Sequence, residues 1–269
     1  MADLRGIEVV AVDFDGTLIE ADHSIVPECL EALARAKDAG LKIATASGRS
    51  LAQQIEFLAL SGLGAGAGLP QALTVDERQV WLLSDGAYVA LQPWNEAVDA
   101  DWRRLRPLAE ALTEQILAEL AARGVWAESC LGPEAVAARG QTGIRFKGEA
   151  AAVANRPLLE ALAAVATTEL MVSQNWSLTH ILPAAAGKGH TLVALAQAWG
   201  LAPAQVLAVG DRHNDVGMLD GALGLRAACV GNSVPEIKEL VAAGGGYVAQ
   251  AAVGAGVAEI VGQVLAARR

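Results

Sequence analysis

Cysteine is scarce in this chain. Three occur in 269 residues, Cys29, Cys130 and Cys229, at wide spacings and in no CxxC pair. That leaves no disulfide framework and no thiolate metal cage, and it is the usage expected of a reduced, cytoplasmic protein with buried thiols. Aromatic residues make up only 4 %, so the core has to come mainly from Val, Leu, Ile and Ala. Basic residues are outnumbered, 20 Lys and Arg against 30 Asp and Glu, giving a formal net charge of −10. A nucleic-acid backbone requires a basic stripe, so no nucleic acid is expected as partner. A small anion is still admissible, because a metal ion or a lysine can reverse the field inside one cleft. Long uncharged apolar runs are missing too: no stretch is expected to cross a membrane, and the opening MADLRGIEVVAVDFD is too briefly apolar for a signal peptide.

What is present is a hydrophobic content of 53 %, well above the disordered range. Ile7–Val12 and Leu41–Thr45 read as buried strands, and Pro27–Ala39 and Leu51–Ser61 as helices. Ala72–Val75 and Val80–Leu83 read as short strands, the second ending in a Ser84-Asp85-Gly86-Ala87 turn. This alternation predicts an α/β fold, a Rossmann-like parallel sheet with helices on both faces. The pattern then changes. Asp101–Arg123 has helical apolar spacing at Leu105, Leu108, Leu112, Ile116 and Leu120. Strands at Val125–Leu131 and Gly143–Lys147, a helix at Arg156–Ala166 and a hairpin formed by Glu169–Ser173 and Ser177–Leu182 complete an α+β module. The expected organisation is a core of residues 1–90 and 183–269 with an inserted domain at 91–182. Beyond Pro183 alternation resumes: helix His190–Gly200, strand Val206–Val209, helix Val216–Leu219, strand Arg226–Val230, and helices Val234–Ala242 and Gly256–Ala267.

Four short segments fall at or just beyond the C-terminal ends of expected strands, the edge where open parallel sheets bind ligands. In Asp13-Phe14-Asp15-Gly16-Thr17, the two aspartates point the same way along an extended backbone. One carboxylate can attack a phosphorus while the other handles protons, and a hard cation such as Mg²⁺ would neutralise the pair. Ser47-Gly48-Arg49 offers a hydroxyl and free backbone N–H groups for a phosphoryl oxygen, although a helix cap uses the same residues. Arg49 reads as a surface or ion-pair arginine rather than a phosphate ligand. Lys188, between Gly187 and Gly189, can place an ammonium on phosphate. Gly210-Asp211-Arg212-His213-Asn214-Asp215 brings two more carboxylates, suited to a hard-metal site.

In that order, these four segments resemble the motifs of the haloacid dehalogenase superfamily, and the location and αββαββ order of the insertion resemble its large-cap, Cof-type and sucrose-phosphatase-like branch. Ser84-Asp85-Gly86-Ala87 resembles the NGA turn of Cof-type members. The resemblance implies a Mg²⁺-dependent phosphatase acting on a small phosphorylated metabolite, a sugar or glycosyl phosphate. It implies that Asp13 is the nucleophile that becomes an aspartyl-phosphate, and that Asp15 serves as acid and base and lends its backbone carbonyl to the metal. Ser47, Gly48 and Lys188 would hold the phosphoryl group, with Asn214 beside them. Asp13, Asp15, Asp211 and Asp215 would form the metal site. The inserted module would be a lid, with Arg145, Lys147, Asn175, Trp176 and His180 as its candidate substrate contacts, in a monomer or homodimer. The alternatives are a phosphomutase of the phosphomannomutase type and a catalytically silent binding protein.

Overall fold

The structure, a computed structural model, describes residues 3–268. In chain order the first described elements are β1 (Val9–Asp13), α1 (Pro27–Asp38), β2 (Lys42–Ala46), α2 (Leu51–Leu60), β3 (Ala72–Val75), β4 (Gln79–Ser84), β5 (Ala87–Ala90) and α3 (Gln92–Ala122). There follow β6 (Ala127–Ser129), α4 (Pro133–Arg139), β7 (Thr142–Phe146), α5 (Glu149–Ala166), β8 (Leu170–Asn175) and β9 (Leu178–Pro183). The last are α6 (Gly187–Ala198), β10 (Val206–Gly210), α7 (Val216–Leu219), β11 (Arg226–Cys229), α8 (Pro235–Ala243), β12 (Tyr247–Val248) and α9 (Val253–Ala267). The chain forms two compact units, one of Asn95–Gly187 and one of the segments up to Trp94 and from Lys188 onward.

The discontinuous unit is built on an eight-stranded sheet in the order β12-β11-β10-β1-β2-β3-β4-β5. The strands from β12 through β3 run parallel, and β4 and β5 are antiparallel additions at one edge. Every residue of β1 is buried, as a central parallel strand covered on both faces requires. On one face Val10, Val12, Ile43 and Val209 pack with Leu33 of α1 and with Val257 and Val261 of α9. On the other, Val9, Ala11, Ala44 and Ala208 pack with Leu192 and Leu195 of α6 and with Ile237 of α8. The second face carries a row of alanines. Ala72, Ala44, Ala11, Ala208 and Ala227 stand in register on neighbouring strands from β3 to β11.

Local signals place the helices. α1 has Pro27 in its first turn, Glu28 near its N-terminus, Arg35 and Lys37 near its end, and Gly40 at φ 75° after it. α2 opens with a capping box between Ser50 and Gln53. The chain goes from β1 to β2 on one side and returns through β10 on the other, so the strand order switches at β1. The C-terminal end of β1 is therefore the crevice where such sheets bind ligands.

The second unit has a four-stranded antiparallel sheet in the order β6-β7-β9-β8. Trp102, Leu105, Leu112, Ile116 and Leu120 of α3 and Leu159 of α5 cover one of its faces with Ile144, Phe146 and Ile181. Leu108, expected on that stripe, is exposed, and Ala109 takes the inward position. Both long helices start earlier than their spacing predicts. α5 runs from Glu149 straight through Pro157, which resembles a first-turn proline but stands in the interior. Its missing hydrogen bond and ring clash cost about 3 kcal/mol, offset by burial of Ala152, Leu159 and Ala163.

Asp85 (φ 49°) and Gly86 (φ 77°) form a tight hairpin between β4 and β5. Because β4 runs antiparallel to β3, this turn lies at the sheet edge opposite the crevice. Asp-Gly at the centre of a hairpin is sufficient reason for its shape.

Candidate active site

The strand ends bring the four segments together. Asp13 closes β1 on the same face as Val9 and Ala11, the face that α6 covers. Lys188, in the first turn of α6, donates to Asp13 Oδ1 at 2.5 Å and to Asp215 Oδ1 at 2.6 Å. Asp215 Oδ2 in turn accepts the backbone N–H groups of Asp211 at 2.9 Å and Arg212 at 3.1 Å. This wrap brings Asp215 over Gly210, where an added Cβ would lie 2.4 Å from Oδ2. Thr17 Oγ1 donates to Asp211 Oδ1 at 3.0 Å and so ties the first segment to the last. Ser47 is buried beside them. Its N–H donates to Thr74 Oγ1 at 3.2 Å, and its Oγ accepts the Arg49 N–H at 3.1 Å.

Asp13, Asp211 and Asp215 are all buried, and each offers an oxygen within 4.8 Å of the others. Burial pushes the Asp13 carboxyl well above the usual carboxylate range; the charge of Asp215 adds to this and Lys188 opposes it. Burial and then Asp215 push Asp211 up to about 6, against the Thr17 hydrogen bond. Burial alone would lower the Lys188 pKa, but the charges of Asp13, Asp215 and Glu77 outweigh it and hold the ammonium above its ordinary value. Asp13 and Asp215 share the Lys188 ammonium, and Asp211 Oδ2 has Arg212 Nε at 3.4 Å. Asn214 Oδ1 is buried here with no hydrogen-bond partner. An all-oxygen donor set with surplus negative charge fits a hard divalent cation.

The side chain of Asp15 stands outside this cluster; the metal role expected of Asp15 is through its backbone carbonyl. Arg49 grips the side chain, Nε donating to Oδ2 at 2.7 Å and Nη2 to Oδ1 at 2.6 Å. Arg49 is thus the ion-pair arginine its position suggested, and its partner belongs to the first segment.

Sequence reasoning missed Glu77. It lies in the turn after β3 at φ 56°, in a left-handed conformation, and is almost wholly buried. Its N–H donates to the Ser47 carbonyl at 3.0 Å, and its Oε1 accepts from Asn214 Nδ2 at 3.3 Å. The same Oε1 lies 3.3 Å from where a Cβ on Gly48 would stand. Val75-Asp76-Glu77-Arg78 matches none of the four segments. The available signal was the strand end itself, since β3 reaches the same edge as β1 and β2.

In the second unit Arg145 is exposed and faces Glu128 across the β6–β7 pair at 3.6 Å, Lys147 is exposed, and Asn175 is half-buried. Trp176 occupies the β8–β9 turn at φ 54°. His180 is buried, and burial together with the charge of Arg139 lowers its pKa to about 4, which keeps the imidazole neutral.

Comparison with known proteins agrees with this geometry. The sequence model of the haloacid dehalogenase-like hydrolases matches residues 10–72 and 154–259, well over half of the chain. The chain belongs to that family and is an enzyme of the hydrolase class. A phosphoglycolate phosphatase from Methanothermobacter thermautotrophicus is 38 % identical over 82 residues, 30 % of this chain; the match covers 34 % of that protein, about a third of its length. Sucrose-phosphatase from Synechocystis sp. PCC6803, solved with sucrose and phosphate, shares the fold with a TM-score of 0.72 at 19 % identity, covering 97 % of this chain and 98 % of the other. A haloacid dehalogenase-like hydrolase from B. subtilis gives a TM-score of 0.65 at 16 % identity, covering 95 % and 99 %. These two likenesses establish the core fold with its inserted cap. No described helix is long and apolar enough to cross a membrane.

Proposed function

We propose that this protein is a phosphatase that hydrolyses a small phosphorylated metabolite, a sugar or glycosyl phosphate, with Mg²⁺ as its metal. The observation that carries the reading is the buried Asp13 carboxylate at the crevice, held by Lys188 at 2.5 Å beside the Asp211 and Asp215 carboxylates. Asp13 is the nucleophile, and Asp211 and Asp215 would hold the metal with it. When bound, that ion supplies positive charge for the phosphoryl oxygens and relieves the repulsion between the carboxylates. Lys188 orients Asp13 and balances charge on the phosphoryl group as it transfers. Ser47 and Gly48 line the phosphoryl position, and Glu77 sets the amide of Asn214 there. Asp15 supplies and recovers the proton. The inserted unit is the lid and carries the residues that choose the substrate.

Phosphate release from a panel of sugar phosphates, glycosyl-glycerate phosphates and p-nitrophenyl phosphate, with and without Mg²⁺, tests this directly. Release that requires Mg²⁺ and is abolished in Asp13→Asn is expected. No release from any compound by wild type that still binds Mg²⁺ sinks the reading.

A further inference from the structure

The pair Asp15–Arg49 holds neither phosphate nor metal in the reading above, yet it is built with care. Both carboxylate oxygens accept from the guanidinium, fork on fork, at 2.7 and 2.6 Å. The arginine is fixed at both ends. Its guanidinium carbon lies 4.6 Å from the Phe57 ring centroid, and Phe57 stacks on His23 at 4.1 Å with the planes 12° apart. At its backbone, the N–H donates to Ser47 Oγ, and the carbonyl accepts from Gln54 Nε2 and from the Asp76 N–H, each at 3.1 Å. Gln54 also donates to the Thr74 carbonyl at 2.8 Å. The phosphoryl-binding turn and the head of Arg49 therefore form one rigid piece. The pair itself is half open, with 23 % of the Arg49 side chain and 30 % of the Asp15 side chain exposed.

Resting on the phosphatase reading, we propose that Arg49 is the positioning residue of Asp15 and that the observed pairing serves the second half of the reaction. In the first half an Asp13 oxygen bonds to phosphorus. The bond from phosphorus to the leaving oxygen breaks, its electron pair stays on that oxygen, and the oxygen takes a proton from Asp15. In the second half a water oxygen bonds to phosphorus, the bond to Asp13 breaks with its pair returning to the carboxylate, and the water's proton goes to Asp15. With both oxygens accepting from the guanidinium, a leaving oxygen can approach Asp15 as an acid only once the fork has opened. Each oxygen keeps a second lone pair with which to take a proton. Accepting from water is compatible with the pair, whereas donating to the leaving group requires Asp15 to part from Arg49.

The experiment is a rapid-quench comparison of the full chain with Mg²⁺ on 2,4-dinitrophenyl phosphate, whose leaving group needs no proton. Arg49→Met keeps the reach to Phe57 and loses the fork; Arg49→Lys keeps the charge and loses the fork. Arg49→Met is expected to release close to one dinitrophenolate per site in a burst. A steady state about tenfold or more below wild type follows, with phosphate retained on acid-quenched protein. Arg49→Lys is expected to fall between the two. Equal losses in the fast and slow phases, without a burst, would assign Arg49 a merely structural role and overturn the inference, as would an unchanged steady state. Wild type inactive on this ester as well as on the wider panel would instead remove the phosphatase reading, and the inference with it.

Discussion

The Glu77 carboxylate and the Asn214 amide meet at 3.3 Å across 137 residues of sequence, inside the candidate site. A buried glutamate among aspartates is costly unless it has work to do, and here it orients an amide and adds a charge facing Lys188. Glu77→Ala strands that amide and is expected to cost about 1–3 kcal/mol of stability in denaturant unfolding. Glu77→Gln keeps an accepting oxygen and is expected to cost less than half as much, while lowering phosphate release several-fold.

Asp13→Asn removes the nucleophile together with a buried charge that the fold holds at a disadvantage. Burial and Asp215 raise the Asp13 pKa, so the ionised form is the disfavoured one in the folded state. Metal-free Asp13→Asn is therefore expected to melt above metal-free wild type, by about 2–4 °C per kcal/mol gained. Adding Mg²⁺ should raise the wild-type Tm and leave the variant nearly unmoved, because the variant lacks a ligand charge. A wild type that melts at one temperature with and without Mg²⁺ would count against the metal site.

Gly210 and Gly217 make a matched pair. A Cβ on Gly210 would stand 2.4 Å from Asp215 Oδ2, whereas one on Gly217 meets nothing within 4 Å. Gly210→Ala is expected to cost about 1–3 kcal/mol by displacing Asp215, and to weaken Mg²⁺ binding measured by titration calorimetry. Gly217→Ala, in α7, is expected to be neutral or to stabilise by up to about 1 kcal/mol.

His180 gives the second unit a pH dependence. Its folded pKa is lowered from 6.5 to about 4, first by burial and then by Arg139. Between those values the unfolded chain binds the extra proton, so stability rises with pH across that window. The contribution is complete above pH 6.5 and is lost as pH falls towards 4, at most about 3 kcal/mol. His180→Asn should flatten that slope in unfolding measured at pH 4.5 and pH 7; an unchanged slope would mean the imidazole is not the titrating group.

The parallel strands were legible because burial on both faces leaves uninterrupted apolar runs such as Val9–Val12, and the reactive residues were legible because they sit where those runs stop. What escaped were pieces held by context. β12 has only two residues, α4 only seven, and β5 is a half-exposed edge strand, so none bears a clear period. Pro157 concealed the start of α5. Glu77 stayed hidden because a turn residue announces its burial only once its neighbours are in place. The partner of Arg49 stayed hidden because it lies 34 residues away in the chain.

The alanines Ala72, Ala44, Ala11, Ala208 and Ala227 form a row of single methyl groups on the sheet face that Leu192 and Leu195 of α6 cover. The thickness of that layer sets how near α6 can come, and α6 carries Lys188 to within 2.5 Å of Asp13. A displacement of about 1 Å at a reacting group can cost on the order of a hundredfold in rate. The blandest residues in the composition thus act as the machining tolerance of the site: Ala11→Val, touching neither substrate nor metal, would put the lysine out of gauge.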